Sequence, residues 1–332
     1  MVPADAVRSK TPIIRNRFLK PSAAADGFKH YMDKKPKIGI LGVGMVGGTL
    51  KRYLEEKKKF KRGRNLFLYD TDRKKGYQDN INFADVIFIS VPTPQNRDGS
   101  ADLSMLKAVF ETINGKKIII IKSTVPPGTT EFFSKKHPEH KVLFNPEFLT
   151  EANAWHNMLN PERQLVGWTR NNQEAAQRVL SLLPQAPLAS PSSELNLTAT
   201  EAEITKYAAN LFLTRKVTFA NAIFDLASHH GANYENIKLG IGSDPRIGQS
   251  HLDVNYHGYR GYGGYCFTKD TNALIAHYKK LGLQHSADLF NQDRIFNEGL
   301  LRRQGLTPND VSLHDKEWIK DKPACRTGRK LK

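Results

Sequence analysis

The chain has 332 residues, 39% hydrophobic and 25% charged, with a formal net charge of +17 and two cysteines, Cys266 and Cys325. That length accommodates two domains with real cores, and two cysteines make no disulfide framework. The longest apolar run, around Lys117–Lys122, is strand-sized, well short of the ~18 residues a membrane helix needs, so neither a secreted disulfide scaffold nor a membrane protein is expected.

Met1–Lys35 carries Arg8, Lys10, Arg15, Arg17 and Lys20 without an apolar h-region, and is expected to be a flexible basic arm in a cytoplasmic protein rather than a secretory signal. Apolar runs of strand length then alternate with helical stretches: Ile38–Gly42, Leu66–Asp70, Val86–Val91, Ile118–Lys122, Lys141–Phe144 and Gln164–Trp168. This alternation predicts βαβ units and a buried parallel sheet over residues 36–190. Pro184–Ser193, with three prolines and three serines, is the expected connector. A mainly helical second domain follows over 194–305. Its long helix runs from about Thr200 to His230, announced by Thr198 and Glu201 as a capping box and stopped by Gly231. Ile204, Tyr207, Ala208, Leu211 and Phe212, continued by Phe219, Ile223 and Leu226, are expected on one face of it, a candidate spine or dimer surface. Two further helices are expected near Asp270–Leu281 and Ala287–Gln304, then a basic tail over 306–332.

The positive charge concentrates in the N-terminal arm, Lys51–Arg64 and Lys316–Lys332. A solvated charge run is the plain explanation; an acidic or nucleic-acid partner is the alternative, although no zinc-finger, helix-turn-helix or RNA-binding signature accompanies it. No metal ligand set is expected.

The first strand runs into Gly42-Val43-Gly44-Met45-Val46-Gly47, a G-x-G-x-x-G turn opening a helix. Gly42 permits the tight turn, Gly44 a close approach to a pyrophosphate, and Gly47 helix–strand packing, while the helix N-terminus offers N–H groups to phosphate. Asp70, ending the second strand, suits a ribose 2′-hydroxyl and favours NAD; Arg73, Lys74 and Lys75 just beyond it leave NADP open. Three polar clusters follow. If a helix starts in Asn145–Glu151, Glu147 and Glu151 share a face; Lys206 and Asn210 lie one turn apart in the long helix; and Gly261–Asp270 delivers Cys266 from a glycine-rich loop to a helix start, with Asp270 one turn on. A helix N-terminus and a nearby lysine favour the thiolate.

These stretches, together with Ala84–Pro94, Lys122–Thr130, Glu203–Asn221 and Asp244–Gly248, resemble the UDP-glucose/GDP-mannose dehydrogenase family from about Lys37 to Asn297. The string Gly261-Tyr262-Gly263-Gly264-Tyr265-Cys266-Phe267-Thr268-Lys269-Asp270 carries most of the likeness. The resemblance implies an NAD-dependent, four-electron oxidation of a nucleotide-sugar C6 alcohol to a carboxylate, UDP-glucose to UDP-glucuronate first among the substrates. It implies Cys266 as the nucleophile, Lys206 as oxyanion stabiliser with Asn210 beside it, Asp270 and Thr124 as water-positioning groups, and Glu147 as acid/base. Met45, Val46, Pro92, Thr93 and Thr124 would join the cofactor site, with Glu151 between cofactor and substrate. Phe148, Leu149, Tyr262 and Gly263 would contact substrate, Arg246 would reach a neighbouring subunit's nucleotide, and the long helix would form a homodimer. Departures from the family pattern are a shortened stretch between Asp70 and Ala84, Asn221-Ala222 for the usual Asn-Glu, Thr268 where proline is common, Asp253 where some members are basic, and no length for a third, nucleotide-holding domain after 306. A non-catalytic NAD-binding subunit is the competing reading.

Overall fold

The computed structural model describes residues 35–150, 152–170, 172–190, 197–255 and 258–311. Residues 1–34 of the expected arm, residues 312–332 of the expected tail with Cys325, and Glu151 lie outside the described residues, as does the end of the proline-rich connector; the first residues of that tail are described and end in a short helix over Pro308–Val311. Strand β1 (Ile38–Leu41) leads through the glycine turn into helix α1 (Met45–Glu56); β2 (Leu66–Tyr69), β3 (Val86–Ile89), α2 (Ser104–Phe110), β4 (Ile118–Ile121), α3 (Thr129–Lys136) and β5 (Lys141–Phe144) follow. The five strands pair in parallel in the order β2-β1-β3-β4-β5. They are Val/Ile/Leu/Phe-rich because both faces are covered. Ile38, Ile40, Leu68, Phe88 and Ile120 feed one apolar core, and Leu41, Phe67, Ile89, Ile119 and Phe144 the other, as a two-residue side-chain period requires.

The sixth expected strand is split. After α4 (Ala154–Leu159), Arg163–Gln164 (β6) pairs with Leu188–Ala189 (β8), whereas Gly167–Trp168 (β7) turns antiparallel onto β5. The break falls at Leu165, whose carbonyl is taken by the Asn145 side chain at 2.7 Å instead of by a strand. Helix α5 (Gln173–Leu182) precedes β8 and covers the first core face. Between Asp70 and Ala84 two short 3-10 turns, 73–75 and 81–83, replace a helix. There Arg62 closes a two-point ion pair on Asp79, and Lys51–Glu55 and Arg52–Glu56 pair along α1, so part of the basic stretch is neutralised locally.

The long helix, α6 (Ala199–His229), starts on the expected capping box: Thr198 accepts from the Glu201 N–H, and the Glu201 carboxylate accepts from the Thr198 N–H at 2.6 Å. At 31 residues it spans about 46 Å. Its apolar stripe is two faces, not one. Tyr207 and Leu211 are buried against Ala273 and Leu274 of helix α8 (Gly264–Lys280), while Ile204, Phe212, Phe219 and Leu226 are 50–64% exposed. Helix α7 (Tyr234–Gly242) packs on the far end of α6; α9 (Gln284–Arg303) and the short α10 (Pro308–Val311) pack on α8. Among the described residues no helix is long and apolar enough to cross a membrane.

Candidate active site

In the strand order the direction reverses between β1 and β3, and an open parallel sheet binds its ligand at that switch point, outside the carboxyl ends of the strands. The glycine turn lies there. Gly42 has φ +84°, and a Cβ on it would come within 2.6 Å of the Ser90 carbonyl at the end of β3; a Cβ on Gly47 would strike the Gly42 carbonyl oxygen. Gly44, by contrast, faces open space. It caps α1 with no side chain over the first N–H groups and no acid in the first turn, which leaves Met45 and Val46 at a helix end prepared for an anion.

Asp70 is nearly buried and holds this turn in shape, accepting from the Val43 N–H at 2.8 Å and the Asp72 N–H at 2.9 Å. Lys75 reaches the same carboxylate at 2.8 Å. Burial alone would raise the Asp70 carboxyl, but these three donors outweigh it and hold it below the usual carboxylate range. The expected ribose acceptor is therefore ionised and already paired with Lys75, the last of the three basic residues that follow it.

The loops after β3 and β4 are laced together. Thr93 donates to the Thr124 carbonyl at 2.8 Å and Ser123 to the Val91 carbonyl at 2.6 Å, which places Pro92, Thr93 and Thr124 along one rim. Beyond β5 the expected helix over Asn145–Glu151 does not form; residues 145–150 are irregular and α4 starts only at Ala154. The Glu147 carboxylate accepts from the N–H groups of Phe148 and Leu149 at 2.8 and 3.0 Å, closing a local turn that competes with helix. Its other oxygen lies 3.1 Å from the buried Lys122 ammonium, which also donates to Asn145 at 2.7 Å. Lys122 was not singled out from the sequence; a lysine ending an isoleucine strand gives no signal until the fold shows it buried beneath the carboxylate.

The helical residues meet this rim from the other side. Lys206 of α6 is buried with its ammonium 5.5 Å over the Phe148 ring, and Arg163 stacks on that ring at 3.9 Å. One turn on, Asn210 donates to Asp270 of α8 at 2.6 Å, and Lys269 pairs with the second oxygen of Asp270 at 2.5 Å. Burial alone would lower the Lys269 ammonium, but Asp270 reverses the effect, and the charge of Cys266 adds to it. Cys266 sits exposed in the first turn of α8. The same helix touches the rim directly: Asn272 donates to Gln95 in the loop after β3 at 2.9 Å. Asn210 and Asp270 are thus joined across the two helices, Cys266 lies one turn before Asp270 on the same helix, and Lys206 meets Phe148 of the loop that carries Glu147.

The glycine-rich loop is clamped by a residue the sequence did not reveal. Asn297 of α9, almost fully buried, accepts from the Tyr262 N–H at 2.8 Å and donates to the Tyr262 carbonyl at 3.0 Å. Gly261 (φ +109°) passes so close that a Cβ would sit 2.5 Å from the Asn297 oxygen, and one on Gly263 would collide with the Tyr259 hydroxyl. Tyr262 itself is buried, and its N–H and carbonyl are both held by Asn297. Arg246 is not drawn into the cluster: its side chain is 87% exposed and pairs with Asp244. A second unforeseen residue is Glu203, fully buried on α6, whose carboxylate accepts from the N–H groups of Gly128 and Thr130 at 2.6 and 2.8 Å and from the Thr130 hydroxyl. It ties the start of α3, just after the Thr124 loop, to the helix bearing Lys206. Burial pushes its carboxyl up to about 7 against those donors.

Residues 63–183 match the NAD binding domain, and residues 200–298 the central domain, of the UDP-glucose/GDP-mannose dehydrogenase family. The chain belongs to that family. UDP-glucose 6-dehydrogenase TuaD of Bacillus subtilis (strain 168) is 39% identical over 213 residues, covering 61% of this chain and 44% of that protein. The putative UDP-glucose 6-dehydrogenase YtcA of the same strain is 35% identical over 279 residues, 72% of this chain and 62% of that one. The chain therefore spans about half the length of the curated relatives it matches. A solved UDP-glucose dehydrogenase from the hyperthermophilic archaeon Pyrobaculum islandicum superposes with a TM-score of 0.68 at 28% identity, covering 81% of this chain and 69% of that one. The glycine turn at Gly42–Gly47 lies upstream of the matched 63–183, so its reading rests on its own geometry.

Proposed function

We propose that this chain is an NAD-dependent nucleotide-sugar 6-dehydrogenase, oxidising a sugar C6 alcohol to the carboxylate, with UDP-glucose the first substrate to test. What carries the reading is the grouping of exposed Cys266 with the Asp270–Asn210 pair and Lys206 beside a glycine-turn crevice, in a chain of this family. The open Gly44 and the uncapped first turn of α1 fit a dinucleotide pyrophosphate, and Asp70 with Lys75 would hold the adenosine ribose. When bound, NAD supplies the hydride acceptor for both oxidations.

The chain's own residues do the rest. The Cys266 thiolate, favoured by its helix N-terminus, adds to the carbon of the intermediate aldehyde, forming a thiohemiacetal. Loss of hydride from that tetrahedral carbon leaves a thioester, and water held by Asp270 and Thr124 cleaves it, releasing carboxylate and restoring the thiol. The Lys206 ammonium, kept dry over Phe148, stabilises the oxyanion of each addition, with Asn210 steering Asp270. Glu147, set by Lys122 and two backbone N–H groups, relays the alcohol proton. Phe148, Leu149, Glu151 and the Tyr262–Gly263 backbone would line the sugar. A homodimer through the exposed Ile204, Phe212, Phe219 and Leu226 of α6 completes the proposal, with Arg246 turned toward the partner's nucleotide; an active thiolate suits a reducing, cytoplasmic setting.

The test is an NADH-production screen across UDP- and GDP-sugars with Cys266→Ala as control. Two NADH per sugar, lost in the variant, is expected. Protein that binds NAD yet yields no NADH with any of these sugars overturns the proposal.

A further inference from the structure

At the amino ends of the strands, the end away from the glycine turn, His137-Pro138-Glu139-His140 links the end of α3 to the start of β5. The Glu139 carboxylate lies 3.4 Å from His140 Nε2 and 3.8 Å from His137 Nδ1, and one ligand atom from each of the three residues falls within 4.8 Å of the others. No other such group occurs among the described residues.

The two imidazoles are placed rigidly. The His137 ring stacks between Phe110, at 5.1 Å, and His140, at 6.1 Å, and the His140 side chain is fully buried with the Ile113 backbone on another side. Yet His140 Nε2, the nitrogen facing the Glu139 carboxylate, is buried without a partner of hydrogen-bond geometry, as are His140 Nδ1, which has only the Ile113 backbone near the ring, and His137 Nε2. A buried imidazole nitrogen left unpaired beside a carboxylate needs a reason. The Lys117 ammonium is spent on the Asn82 and Ala84 carbonyls, so it does not fill the space.

We infer that His137, Glu139 and His140 form a site for a borderline divalent cation of the zinc class, held by two imidazoles and one carboxylate at the amino ends of the strands, away from the dehydrogenase crevice. Zinc binds imidazole and carboxylate at about 2.0–2.2 Å, which sets neighbouring ligand atoms about 3.3 Å apart. The Glu139–His140 spacing already meets this, and Glu139, half exposed, can swing toward His137 Nδ1, which is 3.8 Å away. With three protein ligands and an open face toward solvent, the ion would bridge the end of α3 to β5 and stabilise their junction, independently of sugar oxidation.

Zinc chloride titrated calorimetrically into the full chain, with metal analysis after equilibrium dialysis, tests this on wild type, Glu139→Gln and His137→Gln. Glu139→Gln changes an exposed side chain and His137→Gln a largely buried one, and both leave the fully buried His140 in place. Wild type should retain one more equivalent of zinc than either variant, with affinity at least ~30-fold higher. Zinc in hundredfold excess over Kd should raise the wild-type melting temperature by roughly 3–5 °C and leave the variants unmoved. Equal zinc content and equal affinity in all three proteins, or none in wild type, overturns the inference. Loss of NADH production with intact zinc binding would bear on the dehydrogenase proposal alone.

Discussion

Glutamine at position 203 should erase a pH dependence of stability that the wild type carries. Glu203 is fully buried on α6, and burial raises its carboxyl from 4.5 to about 7. Between those two values the folded chain holds a proton that the unfolded chain has released, so stability falls as pH rises. The contribution is whole below about pH 4.5 and gone above about pH 7. A shift of that size, at about 1.4 kcal/mol per unit, amounts to about 3 kcal/mol. Glu203→Gln has no proton to lose, and it keeps an acceptor oxygen for the Gly128 and Thr130 N–H groups, at a cost of about 1–2 kcal/mol for the mismatched amide donor. Urea unfolding midpoints measured from about pH 4.5 to 8 should therefore decline for wild type by an amount that Glu203→Gln does not share. The gap between the two proteins should narrow or invert toward high pH. Parallel pH profiles for the two proteins would refute the argument and mean that the three donors, not burial, govern this carboxyl.

Four other outcomes follow from the geometry. Cys266→Ala should keep its fold and NAD affinity while net oxidation to the carboxylate drops at least ~10³-fold, read by product analysis alongside NADH. Asn297→Ala leaves the Tyr262 N–H and carbonyl unpaired in a buried loop and should cost about 2–4 kcal/mol in chemical denaturation; a loss below ~1 kcal/mol would show that the clamp is dispensable. Asp70→Ala frees the Val43 and Asp72 N–H groups and Lys75, and should weaken NAD binding about tenfold by calorimetry while improving NADP relative to NAD. Phe212→Arg with Phe219→Arg should shift a dimer to monomer in analytical ultracentrifugation; an unchanged sedimentation coefficient removes α6 as the interface.

Local signals explain what was readable in advance. Ile118–Ile121 is apolar at every position because a central parallel strand is covered on both faces, and Thr198 with Glu201 marks a helix start through bonds spanning only three residues. Cys266 and Asp270 share a helix, so their spacing alone places them one turn apart. Where the reading missed, a local rule met a longer-range bond. Asn145–Thr150 stays irregular because Glu147 caps its own loop and answers to Lys122, which is distant in sequence. Gln164–Trp168 breaks because Asn145 captures the Leu165 carbonyl. The stripe on α6 divides because α8 covers only Tyr207 and Leu211, and no periodicity announces how wide a neighbouring helix will be.

From its residues alone, then, the chain declares a parallel sheet with a glycine turn, a long capped helix and a cysteine at a helix start, since each depends on contacts a few positions apart. The juxtapositions that make a candidate site were decided only in three dimensions: Asn210 on Asp270, Lys206 over Phe148, Lys122 under Glu147, Asn297 around Tyr262 and Glu203 on the start of α3. Most of these pairs are separated by dozens of residues, and such polar groups gain their strength from shared burial. Burial is a property of the packed chain that no short stretch of sequence contains.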